Sequence, residues 1–438
     1  MSSGIIAASV VERKRILIVS SVSPSVGPAI IAYEKFQALK RAGYDVDILS
    51  LEFDERFPEV VGVLNRNKVV SKIQKAILLL RRRIICLRMN QLPGYCFFHR
   101  REEFPEVPVR WLLKNIKRQY DLVDIVFWQK MLSFKSIRAI YRKLNCKIRF
   151  SCVDFSPMSG GCHFTNGCNR FKTGCGHCPG IQSTKMEDLT SHNVRYRQQV
   201  LQEVRPYVSV NDYMYEFFFR QSYLYKDYDR MIRSLSLIDI NVYKRKDIEA
   251  FRDEYLPGGK TFIIFAGAQS IRDERKGFKY LFEALKILRR KIGEEDAHKV
   301  LVITAGRGGK AFAEQAPFDC LDFGYVNTGR LVQLYNVADV FVCPSVNDAG
   351  PLMVDYSIAC GTPVVAFEMG AALSVVKDRG TGYCARLRDS GDLARGIQRI
   401  YEMPEEERVD LSEKCLRFAE NNLSEHAFVS NYSHIFDS

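Results

Sequence analysis

Short apolar runs alternate along this chain with stretches whose apolar residues recur every three or four positions. RILIVSS at 15–21 reads as a buried strand, and IIAYEKFQALKRAGYDVDILSL reads as a helix ending near Gly43 and a second strand. YDLVDIVFWQ at 120–129 and KIRFSCVDFS at 147–156 are further strands, separated by the basic helix MLSFKSIRAIYRKL. In the second half FIIFAG (262–267), LVITAGRG (301–308), VFVCPS (340–345) and TPVVAF (362–367) are continuous apolar runs of parallel-strand type. GFKYLFEALKILRR and LMVDYSIAC, the latter stopped by Gly361, are the helices between. Strand and helix in alternation predict an α/β fold with parallel sheets. A chain of 438 residues is long enough for two or three domains.

A connection is expected at 237–260, where LIDINVYKRKDIEAFRDEYLPGGK is punctuated by Pro257-Gly258-Gly259. The expected division is 1–235, 236–420 and a terminal helix over 421–438. Charge follows it: residues 1–235 carry 38 Lys/Arg against 21 Asp/Glu, and residues 236–438 carry 26 against 30. A basic half implies an anionic partner: nucleic acid, an anionic membrane or a pyrophosphate substrate. The basic residues concentrate at 66–101, where Val69, Ile73, Ile77, Leu80 and Ile84 share one helical face and Lys72, Lys75, Arg82 and Arg83 are available for the others. Two readings stay open, a helix lying on an anionic membrane and a core-facing helix with a solvated charged side. No aromatic-rich sheet or nucleic-acid motif accompanies the charge, so no nucleic-acid partner is expected.

No apolar run reaches the roughly 18 residues of a membrane span, and the first residues lack the pattern of a secretory signal. A cytoplasmic chain is expected, peripheral at the inner membrane face if the basic segment docks there. In that setting 13 cysteines read as thiols or metal ligands rather than a disulfide frame. Four of them, Cys162, Cys168, Cys175 and Cys178, fall in the glycine-rich insert 159–179 with C-x5-C-x6-C-x2-C spacing. That spacing suits a small structural zinc site, while free thiols or a redox role remain open. The aromatic run NDYMYEFFFRQSYLYKDYDRM is either a docking face for a lipid-linked acceptor or a set of helices closing the first domain.

In a parallel sheet, ligands sit at the carboxyl ends of strands, against helix N-termini. The loops Val346 to Pro351 and Met369 to Ala372 are therefore expected to line one crevice, with Gly350 and Pro351 leading to Leu352 at a helix start. The first loop lacks the three-glycine dinucleotide fingerprint, which argues against NAD.

FIIFAG followed by Lys276-Gly277, then LVITAGRG, FGYVNTGRLVQLYNVADVFVCPS, ACGTPVVAF and GTGYCARLRDSGDLARGI, resembles in order and spacing the donor half of retaining nucleotide-sugar glycosyltransferases of family 4 (group 1). The cysteine-rich insert is similar to one in a subgroup of exopolysaccharide enzymes. The resemblance implies two Rossmann-like domains facing a crevice (GT-B type). It implies sugar transfer from a UDP- or GDP-sugar to a saccharide, lipid-linked in the reading adopted, without a catalytic cofactor. It assigns the donor phosphates to Lys276 and, because the usual arginine position is Ala268, to either Arg272 or Arg275, beside Gly267 and Gln269. Gly27 would face the donor from the first loop, and Gly306, Arg307 and Tyr325 would frame the base.

The chain departs from the family in two places. Two glutamates eight residues apart are replaced by Asp348 and Tyr356, so the ribose contact falls either to Asp355 or to Tyr356. A His-Asp pair becomes Val153-Asp154, which leaves Asp154, with His163 nearby, as the catalytic candidates alongside Lys276 and Asp348. These departures keep two competing readings in view, a sugar-nucleotide binder without turnover and a sugar-nucleotide epimerase on the same fold.

Overall fold

The computed structural model describes residues 13–24, 28–86, 91–92, 94–97 and 101–437. Gly27, expected at the donor site, lies outside them. The chain packs as two compact units. The first takes the chain up to Met89, then Phe98–Ser151 and Arg195–Val208; the second takes Asn90–Phe97, Cys152–Val194 and Ser209–Ser438. The cysteine-rich insert therefore clusters with the second unit.

The first sheet is built from β1 (Arg15–Ser20), β2 (Asp45–Ser50), β3 (Val60–Gly62), β4 (Leu122–Phe127), β5 (Lys147–Ser151), β6 (Tyr207–Val210) and β7 (Met231–Arg233), in the order β3-β2-β1-β4-β5-β6-β7. The pairs β1/β2, β1/β4, β2/β3 and β4/β5 are parallel. In the first unit the expected helices lie at Pro28–Arg41 and Phe134–Leu144, the second capped by Ser133 accepting from the Ser136 N–H. Short β3, in a stretch without apolar alternation, was not legible in the sequence.

The helix Lys68–Cys86 reverses the core-facing reading. Its aliphatic row Val69, Ile73, Ile77, Leu80 and Ile84 is exposed. The side turned to the fold is mostly polar, with Ser71, Gln74 and Arg81 around Leu78. Gln74 Oε1 accepts from the Asn65 N–H at 2.7 Å, and Arg81 donates to the carbonyls of Glu106 and Pro105 at 3.0 and 3.1 Å. Backbone carbonyls that need donors hold this helix.

The second sheet comprises β8 (Phe262–Ser270), β9 (Val300–Arg307), β10 (Asp319–Asp322), β11 (Val340–Cys343), β12 (Val364–Phe367) and β13 (Gly382–Ala385), in the order β10-β9-β8-β11-β12-β13, with every registered pair parallel. Alternate residues of one strand feed two cores. Ile263, Phe265, Leu301, Ile303 and Phe341 pack on one face, and Phe262, Ile264, Val300, Val302 and Val342 on the other. Both faces are covered, which is why these strands read as unbroken apolar runs. The terminal helix expected over 421–438 lies at Glu425–Asp437 and is preceded by a separate helix, Glu405–Asn422. They break at buried Leu423, whose carbonyl accepts from the Ile238 N–H at 2.9 Å, and Ser424 Oγ then accepts from the Ala427 N–H.

Candidate functional site

The second sheet runs outward in both directions from β8 and β11, so its strand order reverses between them. Ligands of doubly wound sheets bind outside the carboxyl ends of such a pair. Gln269 lies near the end of β8, the loop after it carries Arg272, Arg275 and Lys276, and the loop after β11 carries Asp348, Gly350 and Pro351. These two loops meet. The Lys276 Nζ stands 2.5 Å from Asp348 Oδ2, both side chains mostly buried. Burial opposes the lysine charge, but the Asp348 carboxylate and its hydrogen bond outweigh it and raise the Lys276 pKa. The lysine is therefore held as a cation at neutral pH.

Gly277 makes this approach possible. Its φ is +68°, and a Cβ there would overlap the Pro344 carbonyl oxygen. The loops are stitched together by the Val346 N–H, which donates to the Arg275 carbonyl at 2.8 Å. On the far side of β8, Gly306 lies so close to Ala268 that a Cβ would overlap the Ala268 carbonyl oxygen. Gly267 likewise leaves room for the Met353 side chain.

The helix Leu352–Ala359 begins at Pro351 with no side-chain cap; the Val354 N–H donates to the Pro351 carbonyl at 3.0 Å, which leaves the N–H groups before it for a ligand or solvent. The Gly350 N–H donates to Asp348 Oδ1 at 3.3 Å. Asn211, which the sequence reading missed, donates from Nδ2 to the Ala349 carbonyl at 2.7 Å, while its Oδ1 caps the helix Asp212–Phe217. Its position before a short helix is a cap signal, but nothing local ties it to residue 349. Tyr213 was also missed; burial and the charge of Asp348 push its pKa up to about 12.

The insert reaches the same loops. The Arg275 guanidinium lies 4.1 Å from the centre of the Phe164 ring, and Asn347 Nδ2 donates to Asn166 Oδ1 at 3.0 Å. Arg275 also pairs with Asp273 at 2.5 Å. Next to Phe164, His163 Nδ1 stands 3.1 Å from Asp154 Oδ2, and Asp154 Oδ1 accepts from the Ser156 N–H at 2.7 Å. Asp154 and His163, nine positions apart in the chain, thus form an imidazole–carboxylate pair although position 153 is valine.

The other candidates fall into two groups. Arg272 packs against Gly308, and Tyr325 is exposed with the Arg307 guanidinium 5.3 Å from its ring centre. Gln269 is exposed. Asp355 and Tyr356 are interior. Tyr356 stacks on Tyr243 with ring centres 3.9 Å apart and planes 6° from parallel. Asp355 is 1% exposed, and neither carboxylate oxygen meets a hydrogen-bond partner among the described residues. Burial, opposed by nearby Ser236, pushes its pKa up to about 7.

Cys162, Cys168, Cys175 and Cys178 border one small cavity together with Tyr95 and Phe97. Among the described residues no group of three or more His, Cys, Asp or Glu side chains is arranged to hold a metal ion. The thiols share a cavity without standing as a ligand set, and burial, with Cys162 next, pushes Cys175 up to about 12.

Two parallel-sheet α/β domains of this kind define the GT-B class of fold. Solved structures of that class match almost the whole chain. Sucrose-phosphate synthase from Thermosynechococcus elongatus superposes with a TM-score of 0.66 at 16% identity, covering 97% of this chain and 98% of that one. Anabaena HepE in complex with UDP and glucose gives 0.62 at 13% identity, covering 97% and 100%. At these identities the likeness is one of fold. Residues 247–418 match the family described as glycosyl transferases group 1, so the second unit carries a domain of that family. An uncharacterized glycosyltransferase of Methanocaldococcus jannaschii is 28% identical over 170 residues, 37% of this chain and 41% of that protein. A D-inositol 3-phosphate glycosyltransferase of an Arthrobacter species is 29% identical over 157 residues, 34% and 36% of the two chains. The chain thus spans about two fifths of the length of these relatives. Among the described residues no helix is long and apolar enough to cross a membrane.

Proposed function

We propose that this chain moves a sugar from a UDP- or GDP-sugar to a hydroxyl of a saccharide acceptor, lipid-linked, with retention of anomeric configuration. The observation that carries this reading is the Lys276–Asp348 pair at the strand-order reversal, seated beside an uncapped helix start. In this mechanism Lys276, with Arg275 next to it, neutralises the diphosphate as the bond between the anomeric carbon and the phosphate oxygen breaks. Preorganised charge at a developing anion is a large catalytic term. The acceptor oxygen bonds to the same face of that carbon, and its proton passes to the leaving phosphate oxygen. Asp348 positions the lysine. In this reading His163, held beside Asp154, hydrogen-bonds a sugar hydroxyl.

Incubating the purified chain with UDP- and GDP-sugars and saccharide acceptors tests the reading. Release of nucleoside diphosphate with formation of an α-linked product from an α-linked donor is expected. Saturable donor binding without turnover across acceptors would select the sugar-nucleotide binder instead, a reading that the valine at 153 keeps in view.

The cavity bordered by Cys162, Cys168, Cys175 and Cys178 supports a second, structural proposal, that the four thiols, which do not stand as a ligand set without metal, lose their protons and draw together around one zinc ion when it binds. No step of transfer passes through it. Elemental analysis should find about one zinc per chain, lost in a Cys175→Ser/Cys178→Ser variant. Metal-free folded protein with four alkylatable thiols would contradict it.

A further inference from the structure

The helix Lys68–Cys86 in the first unit turns its polar side inward and its apolar side outward. Val69 is 67% exposed, Ile73 57%, Ile77 41%, Leu80 60% and Ile84 61%. Their spacing of three or four places them in one row of about 22 Å, the rise of some four turns. Helices of globular units bury such a row. Here Arg81 hydrogen-bonds to backbone carbonyls, Lys75 pairs with Glu52 at 2.6 Å, and Asn67 Oδ1 caps the first turn at the Val69 N–H. The helix is thus fixed in the inverted sense by contacts that do not involve the apolar row.

We propose that this row docks on an anionic lipid bilayer. The charge pattern selects that occupant. The helix carries six Lys/Arg and no acidic residue. By helical geometry Lys68, Lys72 and Arg83 run along one border of the row, and all three are exposed. Aliphatic side chains can enter the acyl boundary while these cations stay at the phosphate level. A second copy of the chain on the same face would bring two all-cationic helices together, with Glu55, 3.5 Å from Lys68, as an acid at that border, an unfavourable pairing on balance. The inference does not depend on the sugar-transfer reading.

Co-sedimentation of the full chain with vesicles tests it. Binding to phosphatidylcholine vesicles containing phosphatidylglycerol is expected, falling with added salt and weak on phosphatidylcholine alone. Ile73→Gln/Leu80→Gln should lower partitioning by at least about tenfold and leave the melting temperature unchanged, because both side chains are exposed. Lys72→Gln/Arg83→Gln should weaken binding only to the anionic vesicles. Equal partitioning of the wild type and the Ile73/Leu80 variant, or no binding to anionic vesicles, would overturn the proposal. So would self-association of the wild type in analytical ultracentrifugation that the same variant abolishes, which would assign the row to a second copy.

Discussion

Asp355→Asn should stabilise the protein in a strongly pH-dependent way. The wild-type carboxyl is 1% exposed, without a hydrogen-bond partner among the described residues, and burial holds its pKa at about 7 against an ordinary 3.8. A raised acid pKa means that the folded state binds the proton more tightly than the unfolded state. Below pH 3.8 Asp355 is neutral in both states and costs nothing. Between 3.8 and about 7 the folded state loses about 1.4 kcal/mol per pH unit, and above 7 the penalty is constant. Its ceiling is about 4 kcal/mol, because water penetration and relaxation lower the cost of a buried charge. Asparagine keeps the shape and removes the titration. The unit that contains Asp355 should therefore melt up to about 10 °C higher than wild type at pH 8, with the difference vanishing by pH 4. Thermal melts of both proteins across that range measure it. A variant destabilised at pH 8, or a difference that does not change with pH, would show that Asp355 is ionised and partnered in the folded protein.

Two further changes probe the site. Gly277→Ala should cost roughly 1–3 kcal/mol, through its φ of +68° and the clash with Pro344, and should weaken nucleotide binding because Lys276 moves with it; melts and calorimetry on the same sample read both effects. His163→Gln should lower turnover about a hundredfold with nucleotide affinity unchanged, and Asp154→Asn should do the same more mildly, since it only orients the ring; comparing kcat with Kd separates this from loss of fold.

The sheets were legible because both of their faces are buried, so β8, β9, β11 and β12 appear as plain apolar runs bounded by glycine and proline. Lys276 was singled out through the family resemblance, from the Lys-Gly pair that follows FIIFAG. Other features depend on contacts between distant segments. His163 meets Asp154 only because the insert folds back, and local sequence shows merely a valine where a histidine was expected. Asn211 reaches the Ala349 carbonyl across 138 positions. The helix Lys68–Cys86 has the periodicity of a core helix, and no periodicity tells which face is inward; the carbonyls of Pro105 and Glu106, which capture Arg81, decide that. The break at Leu423 was hidden for a similar reason, since its carbonyl bonds to Ile238 rather than to the next helical turn.

In the proposed reaction Lys276 binds the donor diphosphate. Isothermal titration of wild type and Lys276→Ala with UDP, GDP and their sugar adducts tests it most directly. Saturable binding of one nucleotide family is expected, weakened in the variant by about a hundredfold, as for loss of one buried charged contact to phosphate. Equal affinity of the two proteins, or no binding of any nucleotide by folded wild type, would contradict it.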